Sequence, residues 1–481
     1  MAKHRLRVGY LGTSLASYFA SEYRQRERAI DGLRDLANRL DFDLIAVHNE
    51  VAGEEDSTRA AEYLRDQEVD FLLVQTAACS MGEQLYPLLD VAPRIGLWAT
   101  PDPELEGEIK LHSMLSTSHF ASILKRYLRY EDIPFKWFYG HVETEGFRRR
   151  FAVTVRALTA VKSMARARIG WVGGLSPGFD GMVFDERRLR SRLGITVHSH
   201  ELADLIERAK AYHPEPVAAT VSSVRAAASG TEVTEPASFD RVARLYLALR
   251  DLASECAYDA LAVQCWPNFQ SSFRIAPCMA YSWLGSEDGV AVSCEGDLLG
   301  AVSMYLLNLL TEGEGSSTLL DMTALDPDTN AMLMWHCGVT PRHFANEEGI
   351  RWVDHVTLGR KGEDGPYGVA GDQVFAAQET SISYIGDDGG SLLVLRADIV
   401  ERKKKGFDGT RGWFSHFELN KRPIGLMDLM NTLTVRGHEH HYAVGQGDVT
   451  SELMEFAAWK GMKLVEEVPD VDYLQLEGVN I

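Results

Sequence analysis

The sequence predicts an α/β protein in three parts: two parallel-sheet domains of the Rossmann-like or flavodoxin-like kind, followed by a β-rich C-terminal domain. Three observations carry this expectation. Strand-like and helix-like stretches alternate through the first third and restart after Ala167, the order that builds parallel sheets covered by helices. The last third shows short apolar runs broken by Gly and Asp, the punctuation of hairpins. A length of 481 residues leaves room for about three domains of roughly 150 residues.

Leu6 to Gly12 reads as a strand, and Ala29, Ile30, Leu33, Leu36, Ala37 and Leu40 recur at helical spacing. A second strand is expected at Leu44 to Val47, a helix around Ala60, Ala61 and Leu64, and two further strands at Phe71 to Val74 and Ile95 to Trp98. After the polar stretch Thr100 to Glu108, helices are expected over about Ser113 to Tyr130 and about Glu145 to Met164. They close a first domain at 1–164. The second domain, 165–317, is read from strands at Ile169 to Val172, Thr196 to Ser199 and Ala260 to Gln264, with helices at Arg187 to Leu193 and Arg241 to Ala253. In 318–481, Ser381 to Ile385 and Ser391 to Ala397 flank the turn Gly386 to Gly390, and helices return at Met427 to Leu433 and Glu452 to Lys460. The charge run Glu401 to Lys405 reads as a solvated loop or strand end.

The formal net charge is −20, with 45% hydrophobic and 25% charged residues. That is the composition of a globular protein, and its acidity disfavours nucleic acid and anionic lipid as partners, since both need a basic surface. No stretch approaches the ~20 apolar residues of a membrane helix, and the N-terminus lacks the apolar core of a secretory signal. A cytoplasmic location is the expectation. The six cysteines, Cys79, Cys256, Cys265, Cys278, Cys294 and Cys337, form no CxxC pair and read as small buried residues.

Glycines after the first strand and around the fifth (Gly170, Gly173, Gly174, Gly178) could cradle a phosphate. They complete no GxGxxG and no Walker motif, so tight strand-to-helix turns are the simpler reading. Glu295 and Asp297 lie in Cys294-Glu295-Gly296-Asp297, after an apolar strand and before the helix Leu298 to Leu310, where α/β proteins place sites. Asp321 ends the short strand Thr318 to Leu320, His336 ends the apolar run Met332 to Trp335, and His438, His440 and His441 cluster in one segment. Taken singly, such residues are caps, turn formers or hydrogen-bonded core residues. Taken together, carboxylates and imidazoles suit Mn, Mg, Co or Fe(II) better than a thiolate-seeking metal. Gln264, Trp266 and Asn268 form an aromatic and amide segment after a strand. It could stack on and hydrogen-bond to a sugar, or plug a domain boundary. No HExxH is present.

In order along the chain, these segments resemble the L-fucose isomerase and L-arabinose isomerase superfamily. The residues that carry the resemblance are Leu111-His112-Ser113 through Arg126, Arg168 to Gly174 with Pro177-Gly178-Phe179, Cys265-Trp266-Pro267 and Pro277-Cys278. Cys294 to Ala301, Leu320-Asp321, Trp335-His336-Cys337-Gly338 and the late His-His pair complete it. The resemblance implies a Mn²⁺-dependent aldose–ketose isomerase, with Co²⁺ or Mg²⁺ as replacements. Glu295 and Asp321 would be the metal-bound acidic residues, His441 or His440 the late ligand, and His336 the additional His of the arabinose branch. Asp at position 321 follows the fucose branch, so features of both branches are mixed. A homo-oligomer, a hexamer in the family, is also implied, with Trp98 reaching a neighbouring subunit's pocket.

The implied chemistry moves a proton between C2 and C1 of a sugar through an enediol, with Glu295 and Asp321 as acid and base. Trp266, Gln264, Asn268 and Trp98 are the candidate substrate contacts. The sugar's identity is open, including deoxy and sulfonated forms. Two other readings fit the same scaffold: a catalytically silent sugar-binding or regulatory protein, and a metal-dependent epimerase or lyase.

Overall fold

The computed structural model describes residues 4–126, 133–311, 315–362 and 364–474. They fall into two compact units, one spanning Lys3–Lys162 and the other Ser163–Ile481. The segments 165–317 and 318–481 therefore share a unit.

The N-terminal unit alternates β1 (Arg7–Thr13), α1 (Gln25–Leu40), β2 (Asp43–Ala46), α2 (Glu54–Asp66), β3 (Phe71–Thr76), β4 (Ile95–Ala99), α3 (Ser113–Arg126), β5 (Phe135–Tyr139) and α4 (Glu145–Met164). Its sheet is parallel in the order β2-β1-β3-β4-β5, the flavodoxin-like order. Every residue of β3 and β4 is buried, as expected for strands covered on both faces. The helix expected over Ser113 to Tyr130 is seen as far as Arg126, and its remainder lies outside the described residues. Strand β5 was not expected. It is an edge strand with only Phe138 fully buried and Trp137 and Tyr139 exposed; its run of aromatics, Trp137-Phe138-Tyr139, is a strand signal that the sequence reading passed over.

The second unit opens with β6 (Arg168–Val172), α5 (Glu186–Leu193), β7 (Thr196–His200), α6 (Leu202–Lys210), α7 (Pro214–Ala226), β8 (Gly230–Glu232), α8 (Ala237–Glu255), β9 (Ala260–Val263), α9 (Asn268–Phe273), α10 (Cys278–Trp283), β10 (Ala291–Ser293) and α11 (Leu298–Leu310). Its parallel sheet runs β10-β9-β6-β7. Then come β11 (Thr318–Asp326), β12 (Ala331–His336), β13 (Arg351–Asp354), β14 (Gly368–Val374), β15 (Gln378–Gly386), β16 (Ser391–Val400), β17 (Thr410–Leu419), β18 (Arg422–Pro423), α12 (Leu426–Val435), β19 (His441–Gln446), α13 (Thr450–Lys460) and β20 (Lys463–Leu464). Parallel α/β sheets followed by a β-rich mixed sheet are thus the architecture.

The β-rich part goes beyond hairpins. Strands β16, β15, β19, β11, β12 and β17 pair in antiparallel succession, and β17 pairs back onto β16. The ring is a closed six-stranded barrel, which leaves these strands no free edge. Helix α11 packs against β9 and β10 of the parallel sheet and against β15 and β19 of the barrel. All its residues but Asn308 are buried. This explains a helix that is apolar on every face, and it ties the two sheets of this unit together.

Candidate functional site

Four segments of the second unit meet at one rim of the barrel. Glu295 lies between β10 and α11. Asp321 is in β11, where it pairs across with His441 of β19 on one side and with Trp335 of β12 on the other. His336 is the last residue of β12 and His441 the first of β19. Consecutive barrel strands thus bring together three residues that are far apart in sequence.

Glu295 has a left-handed backbone, φ 62°, an uncommon state for a non-glycine residue and one found at functional sites. The turn after β6 holds it there. The Ser176 N–H donates to the Glu295 carbonyl at 2.9 Å, and the Trp171 indole N–H donates to the Gly296 carbonyl at 2.9 Å. Gly296 itself has φ 77°, and a Cβ there would sit 2.1 Å from the Gly174 carbonyl oxygen. The glycine turn weighed above as a phosphate cradle is therefore packed against the Glu295 loop.

His441 Nε2 lies 3.4 Å from Glu295 Oε2 and 3.5 Å from Asp321 Oδ1. The His336 ring centroid is 5.5 Å from that of His441. Glu295 Oε2, Asp321 Oδ1, His336 Nε2 and His441 Nε2 are all buried without a hydrogen-bond partner. Unsatisfied buried polar atoms are costly and rare, so four of them at one place call for a ligand. The donor atoms of Glu295, His336 and His441 lie within 4.8 Å of one another, as do those of Asp321, His440 and His441. Two carboxylates with imidazoles form a set that could hold a hard or borderline divalent cation.

The electrostatics agree with that chemistry. Burial raises the pKa of Asp321 above the ordinary carboxylate range, against the pull of His336 and His441. Burial opposes a proton on His336, yet the charges of Cys337, Asp321 and Glu295 outweigh it and push its pKa up to about 10. A site that attracts a proton this strongly attracts cations in general.

His440 stands apart from His441. Its side chain is 42% exposed against 1% for His441. It pairs with Glu295 at 3.5 Å and Glu439 at 3.9 Å, which raise its pKa to about 10. Its ring stacks on Phe179 at 5.2 Å, and Phe179 meets Trp266 edge-on at 6.4 Å. Trp266 therefore belongs to an aromatic wall beside the cluster. Gln264 does not face it. Its amide donates to the Gly173 and Leu175 carbonyls at 3.0 and 2.9 Å and accepts from Asn268 at 2.8 Å, so both residues brace the glycine turn. Trp98 lies within the N-terminal unit, 1% exposed. It donates to the Gly140 carbonyl at 2.8 Å and packs on Phe147 at 4.5 Å, leaving no face for a sugar.

Two groupings escaped the sequence reading, which named Asp297 as a carboxylate opening a helix and the cysteines as small buried residues. Asp297, fully buried, places Oδ2 3.1 Å from His441 Nδ1, while its Oδ1 accepts from the Gly300 N–H at 2.8 Å and the Tyr384 hydroxyl at 3.0 Å. It caps α11 and orients the imidazole, as carboxylates do behind metal-binding histidines. The second is a group of cysteines. Cys278 Sγ and Cys337 Sγ are 3.8 Å apart, and Cys337 Sγ is 3.2 Å from His336 Nδ1. Hydrogen bonds from Cys278 and Cys294 hold the Cys337 thiol well below the ordinary range, and those two thiols are pushed up.

No family model matches the chain. Curated relatives do. A sulfoquinovose isomerase of Priestia megaterium is 26% identical over 420 residues, covering 86% of this chain and 89% of that protein. One of Alkalicoccus urumqiensis is 28% identical over 407 residues, covering 82% and 86%. A third, of Clostridium sp., is 26% identical over 367 residues, covering 75% and 78%. These likenesses support an aldose–ketose isomerase. Among the described residues, no helix is long and apolar enough to cross a membrane.

Proposed function

We propose that the protein interconverts a sulfonated aldose and its ketose by moving a proton between C2 and C1 through an enediol. Glu295, Asp321, His441 and His336 would hold a divalent cation, manganese first. The observation that supports this is the convergence of their four unpartnered donor atoms. The names of the relatives support a sulfonated sugar.

A cation bound there would polarise the sugar's carbonyl and hydroxyl oxygens and so acidify the proton at C2. Glu295, fixed at the mouth of the cluster by its loop, is the group we assign to that proton. Asp321, the second carboxylate of the cluster, is the group we assign to giving a proton to the oxygen at C1 and recovering one from the oxygen at C2. Return of the first proton to C1 completes the ketose. Asp297 keeps His441 in one orientation throughout. The wall of Phe179 and Trp266 offers ring faces to the C–H groups of a sugar.

The test is an assay of sulfoquinovose, glucose, L-fucose and L-arabinose with added Mn²⁺ and after chelation, followed by NMR in D₂O. Metal-dependent deuteration at C1 or C2 with a ketose product, fastest for the sulfonated sugar, is expected. Full-rate turnover after chelation would overturn the metal assignment, and chain cleavage would overturn the reaction.

A further inference from the structure

We propose that Cys278 and Cys337 form a reversible disulfide switch whose closure disturbs the donor cluster. The control it exerts rests on the function proposed above; the disulfide does not. The two sulfurs are 3.8 Å apart, and all six cysteines are free thiols. Cys337 is the less buried residue of the pair, Cys278 being 1% exposed, and an oxidised Cys337 finds the second thiol already in contact. The same Cys337 sulfur is the neighbour of His336 Nδ1 at 3.2 Å. The pair therefore shares an atom with the surroundings of the cluster.

A metal held by Cys278, Cys337 and His355 is the rival reading, because their donor atoms also lie within 4.8 Å of one another. His355 argues against it. Its Nδ1 accepts from the Thr357 and Leu358 N–H groups at 3.2 and 3.1 Å. A metal on that nitrogen would displace both N–H contacts, whereas the disulfide needs no third group.

With hydrogen peroxide as oxidant, the Cys337 sulfur attacks one oxygen, an S–O bond forms, the O–O bond breaks and water leaves. The Cys278 sulfur then attacks the sulfenyl sulfur, the S–S bond forms, and the S–O bond breaks with loss of a second water. Two thiols lose two electrons and two protons in all, and the peroxide is reduced to two waters. A disulfide brings the sulfurs to about 2.0 Å. One or both residues must shift, and Cys337 touches His336 Nδ1 twice, through its sulfur at 3.2 Å and through its N–H, which donates at 2.9 Å, so a shift of Cys337 disturbs that ring.

The test treats the full-length protein with hydrogen peroxide, blocks the remaining thiols and maps its peptides by mass spectrometry. A peptide pair joined through Cys278 and Cys337, released by dithiothreitol, is expected. Titration with Mn²⁺ alone should show binding weakened about 10–100-fold in the oxidised protein and restored on reduction. Cys278→Ser should keep basal Mn²⁺ binding and lose the peroxide effect; Cys278→Ala serves if the serine variant misfolds. A map showing no such pair, or a Cys294–Cys337 pair instead, overturns the proposal. So does a Cys278 variant as peroxide-sensitive as the parent. If the reduced protein binds no Mn²⁺, the proposed function fails while the mapped disulfide stands on its own.

Discussion

Glu295 and Asp297, two residues apart, have different tasks, and substitution separates them. Glu295→Gln removes a negative donor and the proton acceptor while keeping size and shape. We expect turnover to fall at least about 10³-fold, with an unchanged far-ultraviolet circular dichroism spectrum; activity within tenfold of the parent would exclude Glu295 from the proton transfer. Asp297→Asn keeps an oxygen to cap α11 but loses the carboxylate behind His441. Metal affinity should drop about 10–100-fold, measured by calorimetry with Mn²⁺, with thermal stability changed little. At this scale the sequence singled out Glu295, Asp321, His336 and His441 as possible ligands, and the resemblance joined them into one site, since each alone could be a cap or a core residue. Asp297 was visible as the residue before an apolar helix, yet its hold on an imidazole 144 residues away is a contact that no local pattern encodes.

Among the elements, the loop between β10 and α11 is the most tightly specified. Gly296→Ala puts a methyl group 2.1 Å from the Gly174 carbonyl oxygen at φ 77°. Backbone strain alone costs about 1–3 kcal/mol, and the clash adds to it. A lowered denaturation midpoint together with lost Mn²⁺ binding is the expected result, and a variant as stable as the parent would show that the loop can shift. Helix α11 itself was legible to the residue, because a mostly apolar stretch of thirteen residues after an Asp is a helix with its cap. The strand at Thr318 was expected to end at Leu320 but runs to Asp326. Beyond Leu320 its residues are partly or fully exposed, so the apolar signal stops before the strand does. The charge run after β16 is the loop it was expected to be, with Arg402 paired to Asp326 and Lys405 to Glu348.

For the whole molecule, alternation of strands and helices was enough to anticipate the parallel sheets, since that signal is local. Barrel closure was not legible: the pairing of β16 with β17 is a matter of register between strands whose patterns look alike. Chelation should lower stability as well as activity. At a free Mn²⁺ concentration 100 times the dissociation constant, the metal contributes about 2.7 kcal/mol, and a shift in melting temperature on adding a chelator measures it. An unchanged melting temperature would show that the native state holds no cation. The closed ring also dictates when such a contribution can arise. Donors from the parallel sheet and from three barrel strands meet only after long chain loops have closed, and those contacts form late. Mn²⁺ should therefore leave the refolding rate unchanged and slow unfolding by up to about 100-fold, so that the cation acts as a latch on a finished fold, prolonging the native lifetime without guiding the chain towards it.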